Sequence, residues 1–228
     1  MTKPSPDSTA ARRAAAGGPG RDRRRGLIID AAIAAIEADG PQALTEQIAD
    51  RAGLARTHVY RHFASKEELD FAVARRAHRD LTERIRANLE VEGTPFEIIR
   101  QPLAQHVIWA DEHPNLYRFL IRREYRRGPE QERVGGGAFT AEVAAAMVRY
   151  IPQLADTDLI DATIVAVHGL VDASVSWWLD HRRTSRDEII DRLTSQCWLL
   201  FDHRLRELGI RLDPTSAPSG AARGANSA

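Results

Sequence analysis

The chain has 228 residues, 43% of them apolar, which is enough for one small and one medium globular domain with real hydrophobic cores. Its 32 basic and 32 acidic side chains cancel, but residues 1–25 alone carry a net charge of +5. Such a segment either attracts phosphate groups or forms a solvated, flexible tail. The single cysteine, Cys197, excludes an intrachain disulfide and a cysteine-based metal cluster, and it fits a reducing cytoplasm.

The organisation of the chain follows from its hydrophobic periodicity. There is no signal-peptide core and no run approaching about 18 uninterrupted apolar residues, which disfavours secretion and membrane spanning. No segment has the two-residue period of a strand, so we expect an all-α fold of about nine helices. We expect a disordered basic arm over 1–22, a first helical domain over 23–70, a second over 71–212 and a disordered tail over 213–228.

The segment LTEQIADRAGLARTHVYRHF, residues 44–63, has the pattern of two short helices joined by a tight turn. Gly53 supplies the positive φ of the turn, and the flanking apolar positions form the buried side: Ile48, Ala49, Ala52, Leu54, Val59 and Phe63. The polar positions are left to point outward: Arg56, Thr57, His58, Tyr60, Arg61 and His62. These donors suit phosphates and base edges, so we interpret the segment as a helix-turn-helix. A plain helical hairpin is the alternative, because it also carries a glycine at its turn.

Helices flank this motif on both sides. Before it, Ile29, Ala32, Ile33 and Ile36 recur at helical spacing, which predicts an amphipathic helix from about Arg23 that ends at Gly40. After it, Ser65 and Glu68 form a capping-box pattern. Apolar residues then recur every four positions, which predicts one long, rigid helix from about Lys66 to Val91: Leu69, Val73, Ala77, Leu81, Ile85 and Leu89.

The run IADRAGLARTHVYRHFASKEEL resembles the TetR family of one-component bacterial regulators. The resemblance implies a three-helix N-terminal DNA-binding domain that leads into a helical ligand-binding and dimerisation domain. It implies that Tyr60, His62 and Lys66, which match the family's Y-x-H-F-x-x-K signature, lie at or near the DNA backbone. It also implies that Thr45 begins the second helix and that Arg56, Thr57 and His58 begin the recognition helix.

The predicted DNA-binding residues are therefore Thr45, Arg56, Thr57, His58, Tyr60, Arg61, His62 and Lys66. Ala55 stands where the family often has a helix-capping serine. We therefore expect Thr57 or a backbone group to close the start of the recognition helix. His58 and His62 have a spacing that can bind zinc, but their place in the motif explains them better, and no metal is expected.

The second domain reads as a series of helices with recognisable ends. Thr94 caps a helix that begins at Pro95, and we expect a kink or break at Pro102 and a stop before Pro114. A short helix over NLYRFLIRREYRR follows. Another helix runs from about Phe139 to Tyr150, after a break at the glycines 135–137. Two long helices close the fold, with Thr157 and Ser185 as their N-caps.

The last two helices are apolar on more than one face, which is more apolar surface than one intramolecular contact should bury. In TetR-family regulators the final helix pair forms a four-helix bundle with the partner subunit, so the resemblance implies a homodimer. The predicted interface residues are Val171, Val175, Trp178, Leu193, Cys197 and Leu200. Ordinary core packing is the alternative. In both cases we expect Cys197 to be a small apolar residue, of the interface or of the core, and not a redox sensor.

The middle helices supply aromatic walls with a few polar groups, as a small-molecule pocket requires. The candidates for an effector pocket are His106, Trp109, Tyr117, Arg122, Phe139, His168, Asp172 and Trp177. Such residues also occur simply as core or surface, and His168 suits a satisfied interior histidine. The basic run of Arg122, Arg123, Arg126 and Arg127 either attracts an anionic ligand or forms a solvated face.

The sequence has no glycine-rich phosphate loop, no H-E-x-x-H motif and no nucleophile elbow, so we expect neither an enzyme nor a cofactor. We predict a cytoplasmic regulator of transcription: a repressor that a small-molecule effector releases from a palindromic double-stranded DNA operator. One alternative is a DNA-binding regulator that has no effector. The other is an all-α ligand carrier or enzyme in which the N-terminal hairpin is incidental.

Overall fold

The computed structural model describes residues 18–89, 92–124, 136–154 and 159–216, and all regular structure in these ranges is helical. The expectation of an all-α fold is confirmed. The chain divides into two compact units, residues 1–76 and 77–228. The first unit contains α1 (Gly18–Asp39), α2 (Thr45–Arg51), α3 (Arg56–His62) and the beginning of α4 (Lys66–Arg86). The second contains the rest of α4, α5 (Pro95–Glu112), α6 (Pro114–Glu124), α7 (Gly136–Tyr150), a 3-10 turn (Pro152–Leu154), α8 (Leu159–His181) and α9 (Arg186–Glu207).

The core of the first unit forms where α1 covers the α2–α3 pair. Its fully buried side chains include Ile28, Ile36 and Ile48, together with Val59 and Phe63 of the predicted buried side. The stripe predicted for α1 is displaced, because Ile29 and Ile33 are only half-buried while Ile28, Ala31, Ala32, Ala35 and Ile36 are buried. The alanines explain the orientation, since small side chains on the inner face let α2 approach α1 closely.

The prediction of a disordered arm over residues 1–22 is wrong for residues 18–22, because α1 already begins at Gly18. Residues 1–17 lie outside the described part of the chain. Arginine is a good helix former, so the run from Arg21 to Arg25 extends the apolar helix toward the N-terminus. The basic side chains at positions 21–25 therefore have fixed places on a helix.

The turn glycines and the cap of α4 match the sequence prediction. Gly40 and Gly53 have φ values of +99° and +63°, the left-handed region that favours glycine. At the start of α4 the Glu68 amide donates to Ser65 Oγ over 3.1 Å, while Glu68 Oε2 accepts from the Ala64 amide over 2.6 Å. These hydrogen bonds satisfy groups that a helix start leaves open.

The long helix α4 ends earlier than predicted. Its apolar series is buried as expected from Leu69 to Ile85, but the helix ends at Arg86 and a turn occupies residues 87–89. The Asn88 side chain donates to the Arg84 carbonyl over 3.0 Å. Such a side-chain bond competes with the helical backbone, which accounts for the early end.

α5 continues through Pro102, so the break, one of the two outcomes expected at this residue, does not occur. The helix is α-helical from Pro95 to Glu112, although Pro102 cannot donate a backbone hydrogen bond. The helix packs against α9. The predicted ends are confirmed: the Glu97 amide donates to Thr94 Oγ1 over 3.2 Å, and α6 begins at Pro114.

Among the remaining boundaries, the start of α7 differs from the prediction. Gly136 and Gly137 belong to α7, whereas Gly135 and the predicted cap Thr157 lie outside the described residues. Ser185 caps α9 as predicted, since its Oγ accepts from the Glu188 amide over 3.2 Å.

The tail expected over 213–228 is ordered at its start. Asp213 accepts from the amide of Thr215 over 2.8 Å, and the Pro214 carbonyl accepts from the amide of Phe96 over 3.1 Å. This segment therefore closes the open N-terminus of α5. Residues 217–228 lie outside the described part of the chain.

One helix of the described residues is long and apolar enough to cross a membrane by length and composition, within α8 at Asp161–His181. A core helix passes the same test. Val175 and Trp178 of α8 are buried inside the second unit, and its Asp172 is hydrogen-bonded there to Tyr117.

Candidate DNA-binding face and ligand cavity

The outward face of α3 carries the polar residues predicted for DNA binding. Arg56, Thr57, His58 and Arg61 are exposed, while Val59 on the opposite side of the same helix is buried. At the N-terminus of α3, Ala55 has an extended backbone and provides no side-chain cap. The Ala55 carbonyl accepts from the amide of His58 over 2.8 Å, so a backbone group closes this end.

A polar contact joins the start of α2 to the exposed face of α3. Thr45 Oγ1 lies 3.4 Å from Tyr60 Oη, and the guanidinium carbon of Arg56 lies 5.7 Å from the centre of the Tyr60 ring. The hydrogen bond from Thr45, followed by the interaction with Arg56, lowers the pKa of Tyr60. Thr45 begins α2 as expected, but only 7% of it is exposed, so its hydroxyl orients Tyr60 instead of projecting from the surface.

Lys66 and Arg25 both make ion pairs at the junction of α3 and α4. Lys66 Nζ pairs with the buried Asp70 one turn further along α4. Arg25 lies over the Phe63 ring with its guanidinium carbon 4.1 Å from the ring centre, and its Nη2 is 3.0 Å from Glu68 Oε1. The other terminal nitrogen of Arg25 donates to the His62 carbonyl at the end of α3. In the sequence Arg25 is one member of a basic run, and nothing local indicates this long-range contact.

His62 is half-buried and does not lie fully on the outward face. Its Nδ1 is buried and, in the described part of the chain, has no hydrogen-bond partner. Burial lowers the pKa of His62, and the nearby charges of Arg21, Arg24 and Arg25 lower it further. The imidazole is therefore neutral at pH 7, and the positive charge around it comes from Arg21, Arg24 and Arg25 of α1. No group of histidine, cysteine and acidic side chains suited to a metal ion occurs among the described residues.

The second unit contains a cavity of about 690 Å³ that is open to solvent on one side. Side chains from α4 to α9 line it, and most of them are aliphatic or aromatic. Its size lies within the range of about 300–1,000 Å³ that is typical of small-molecule sites. The walls are built from helix faces of period 3.6, as in the series Cys197, Phe201 and Leu205 on α9.

A buried polar cluster interrupts this apolar wall. Tyr117 Oη donates to Asp172 Oδ1 over 3.1 Å and lies 3.0 Å from His106 Nε2. His168 Nε2, on a more exposed ring, lies 3.5 Å from Asp172 Oδ2. Burial, reinforced by His168 and His78, lowers the pKa of His106 to about 3. His106 is therefore neutral at pH 7, even though its Nε2 lies 3.6 Å from Asp172 Oδ1.

The structure brings together half of the predicted effector-pocket residues. His106, Tyr117, His168 and Asp172 line the cavity. Trp109 does not line it; this residue is buried with its ring centre 6.4 Å from that of Tyr117. Arg122 and Trp177 are exposed and do not line the cavity either. The side chain of Phe139 is not among the side chains that the structure describes. Aromatic content alone did not distinguish a cavity wall from a core or a surface.

Cys197 was predicted for the dimer interface and instead lies in the cavity wall. Burial raises the pKa of its thiol to about 12, so the residue is a protonated, unreactive side chain at pH 7. Val171, Val175, Trp178 and Leu193 are likewise buried inside the unit, and among the six predicted interface residues only Leu200 is exposed. The other five form part of the core of the single chain.

The comparisons with known proteins agree with the motif and the fold. Residues 28–73 match the family described as "Bacterial regulatory proteins, tetR family". An uncharacterised HTH-type transcriptional regulator of Mycobacterium tuberculosis, Rv0472c, is 29% identical over 77% of this chain and 76% of its own. The HTH-type transcriptional activator FasR of Mycolicibacterium smegmatis is 28% identical over 80% of this chain and 85% of its own. A tetR-family regulator from Streptomyces coelicolor has the same fold, with a TM-score of 0.67, 21% identity and coverage of 82% and 86% of the two chains.

The helix-turn-helix matches the family model, and the relatives that cover most of the chain are HTH-type transcriptional regulators, so the chain is similar to DNA-binding regulators of transcription. The family match covers the motif itself, so residues 28–73 are similar to the bacterial regulatory proteins of the tetR family.

Proposed function

We propose that this protein is a homodimeric repressor, which binds a palindromic operator through α3 and leaves it when a small molecule occupies the cavity. The observation that carries the proposal is the cavity of about 690 Å³, which lies in the unit that does not contain the helix-turn-helix. A regulator without an effector would have no need of such a space, and filling it with side chains would make the protein more stable. The repressor sign is the simplest assumption, and the activator FasR shows the opposite sign in a relative.

On the DNA side, the proposed base readers are Arg56, Thr57 and His58, because they are exposed at the start of α3. This is the part of a recognition helix that enters the major groove. Tyr60, Arg61 and Lys66 are proposed to contact phosphates. Thr45 is buried and His62 is half-buried, so these two residues are proposed to position the exposed side chains instead of contacting DNA.

The dimer is proposed to form along α8, through the exposed face of the helix that lies opposite its buried face. An exposed stripe of small and apolar residues runs along this helix: Ala162, Val165, Ala166, Gly169, Ala173 and Trp177. A Cβ atom added to Gly169 would meet nothing within 4 Å, so this position faces open space in the single chain. Small residues allow two helices to approach closely, and Leu199 and Leu200 extend the apolar surface onto α9. A two-fold dimer also matches a palindromic operator.

The proposed switch acts through α4, which is continuous from Lys66 to Arg86. Its second half lines the cavity with His78, Leu81, Thr82 and Ile85. A ligand that contacts these residues differently in two states of the protein shifts the balance between them. Because α4 begins directly after the recognition helix, a displaced α4 would alter the separation of the two α3 helices in a dimer.

The test begins by selecting duplexes from a random pool with the purified protein. We expect a palindrome whose half-sites are about one helical turn apart. Small molecules that raise the melting temperature are then titrated into the protein–operator complex, and we expect some of them to release the DNA. If every stabilising ligand leaves operator affinity unchanged, the protein is a regulator without effector control. If ligands tighten the complex, the effector is a co-repressor or the protein is a ligand-dependent activator.

A further inference from the structure

The start of α1 carries two exposed arginines that take no part in the ion pairs of the fold. Neither Arg21 nor Arg24 forms a side-chain ion pair or hydrogen bond in the described part of the chain. The neighbouring Arg25 differs from them, because it pairs with Glu68. Like charges one turn apart on a helix repel each other. The two arginines therefore cost stability unless an anionic partner lies against them.

The contacts of Arg25 fix the start of α1 against the recognition helix. Its guanidinium donates to the carbonyl of His62, the last residue of α3. A helix turns by about 100° per residue, so Arg21 lies about 40° and Arg24 about 100° to one side of Arg25. Arg23 lies about 160° away, on the opposite side of α1.

The titration of His62 agrees with this placement. Burial lowers the pKa of His62, and the charges of Arg21, Arg24 and Arg25 lower it further, while Arg23 is not among the main causes. The charges of Arg21 and Arg24 therefore act at the C-terminal end of α3, and that of Arg23 points elsewhere.

The end of α3 at which these charges lie decides which part of a duplex they would meet. The N-terminal residues of a recognition helix contact base edges in the major groove. α3 has seven residues, so its two ends are separated by about 10 Å. This distance is close to the width of the major groove, about 12 Å. With the start of α3 at the bases, its C-terminal end and the start of α1 lie at the sugar–phosphate backbone that borders the groove.

We propose that Arg21 and Arg24 bind backbone phosphates of the DNA, in addition to those contacted from α3 and α4, and so widen the DNA contact of each subunit. This inference rests on the operator binding proposed above. Phosphate oxygens accept two parallel hydrogen bonds from a guanidinium, and their charge offsets the repulsion between the arginines. Asp22 lies about 60° to the other side of Arg25 and does not come between the two. Such contacts carry no sequence information, so they raise the affinity for every duplex.

The first test compares R21A, R24A and the double variant R21A/R24A with R23A as the matched control. Arginine and alanine are both good helix formers, so α1 should persist in all of them, which circular dichroism and melting temperature verify. Fluorescence anisotropy measures affinity for the selected operator and for an unrelated duplex between about 50 and 200 mM salt. We expect R21A/R24A to lose about tenfold for both duplexes at the low-salt end. The slope of log affinity against log salt should fall by about 0.9 for each arginine in each bound subunit, and R23A should keep both affinity and slope.

The second test locates the phosphates. A methylphosphonate at one backbone position removes the charge of that phosphate, and a series of duplexes carries it at successive positions across and beside one half-site. The unaltered protein and R23A should lose affinity at the positions that border the major groove. R21A/R24A should be insensitive at one or more of them. R21K/R24K should regain the salt slope, since a lysine also binds phosphate as a point charge.

An unchanged salt slope together with unchanged methylphosphonate sensitivity in R21A/R24A would overturn this inference and leave operator binding intact. An equal loss in R23A would overturn it too, because the effect would then be one of overall charge. R21Q/R24Q neutralises the same charges if the alanine variant fails to fold. If the unaltered protein binds no duplex, the proposed function fails and this inference fails with it.

Discussion

At the scale of single residues, Arg25 links α1 to the end of the recognition helix. It lies over Phe63, pairs with Glu68 and donates to the carbonyl of His62. We expect R25A to lower the free energy of unfolding by about 1–2 kcal/mol, because a half-buried cation–π contact and a charged hydrogen bond are lost together. Urea denaturation measures the change.

The control for Arg25 is R23A, which removes an exposed arginine on the same helix. It should leave stability within about 0.5 kcal/mol of the original. Equal stability of R25A and the unaltered protein would show that the contact with Phe63 contributes nothing to the fold.

Lys66 offers a second test, because its ammonium group already pairs with Asp70. We expect K66A to weaken binding to all duplexes about equally and to reduce the slope of log affinity against log salt by about one, as for the loss of one phosphate contact. Fluorescence anisotropy over a salt series measures both. D70N should tighten binding, since a carboxylate that competes with phosphate is removed. A change of base preference in K66A would contradict the phosphate role.

The lowered pKa of His106 should make the stability of the second unit depend on pH. Its pKa is about 3 in the folded chain and about 6.5 when unfolded, so below pH 6.5 the unfolded chain binds more protons. The free energy of unfolding is therefore highest above pH 6.5. It falls as the pH drops from 6.5 toward 3, by up to about 1.4 kcal/mol per pH unit. Urea denaturation at several pH values should show a shallower slope for H106Q. An unchanged slope would mean that His106 does not titrate on unfolding.

At the scale of helices, α8 has two apolar faces with different roles. The face with Val171, Val175 and Trp178 is buried, while the exposed stripe through Gly169 and Ala173 is proposed to meet a second subunit. We expect A173E to produce monomers that keep their helicity and lose operator affinity, because one half-site alone binds weakly. Light scattering with circular dichroism measures mass and fold together. A145E makes the same change at an exposed alanine of α7 and should remain dimeric.

At the scale of the whole molecule, ligand and operator are expected to oppose each other by the same factor. If the ligand weakens operator binding by about 1–3 kcal/mol, linkage requires the operator to weaken ligand binding by the same amount. Calorimetric titration of the ligand with and without operator duplex measures this factor. The substitution A146W, at a half-buried position of the cavity wall, should bind operator and fail to respond. Equal ligand affinities in the two titrations would show that a bound ligand does not act as an inducer.

The sequence by itself determined the features that depend on neighbours within a few residues. The caps at Ser65, Thr94 and Ser185 require only a side chain and an amide three positions away. Gly53 was identified because a left-handed turn favours glycine, and the series from Leu69 to Ile85 because helical period alone places these residues on one face. The helix-turn-helix is itself a local pattern of this kind.

The tertiary structure alone decided which helix faces meet. His106, Tyr117 and Asp172 come from three helices, and no spacing in the sequence relates them. The buried face of α8 follows from tertiary packing for the same reason, since both faces of the helix are apolar and only the neighbouring helices determine which one is buried. Arg25 reaches Glu68 across 43 positions of the chain. Contacts between distant segments depend on how the helices pack, and hydrophobic periodicity does not encode that arrangement.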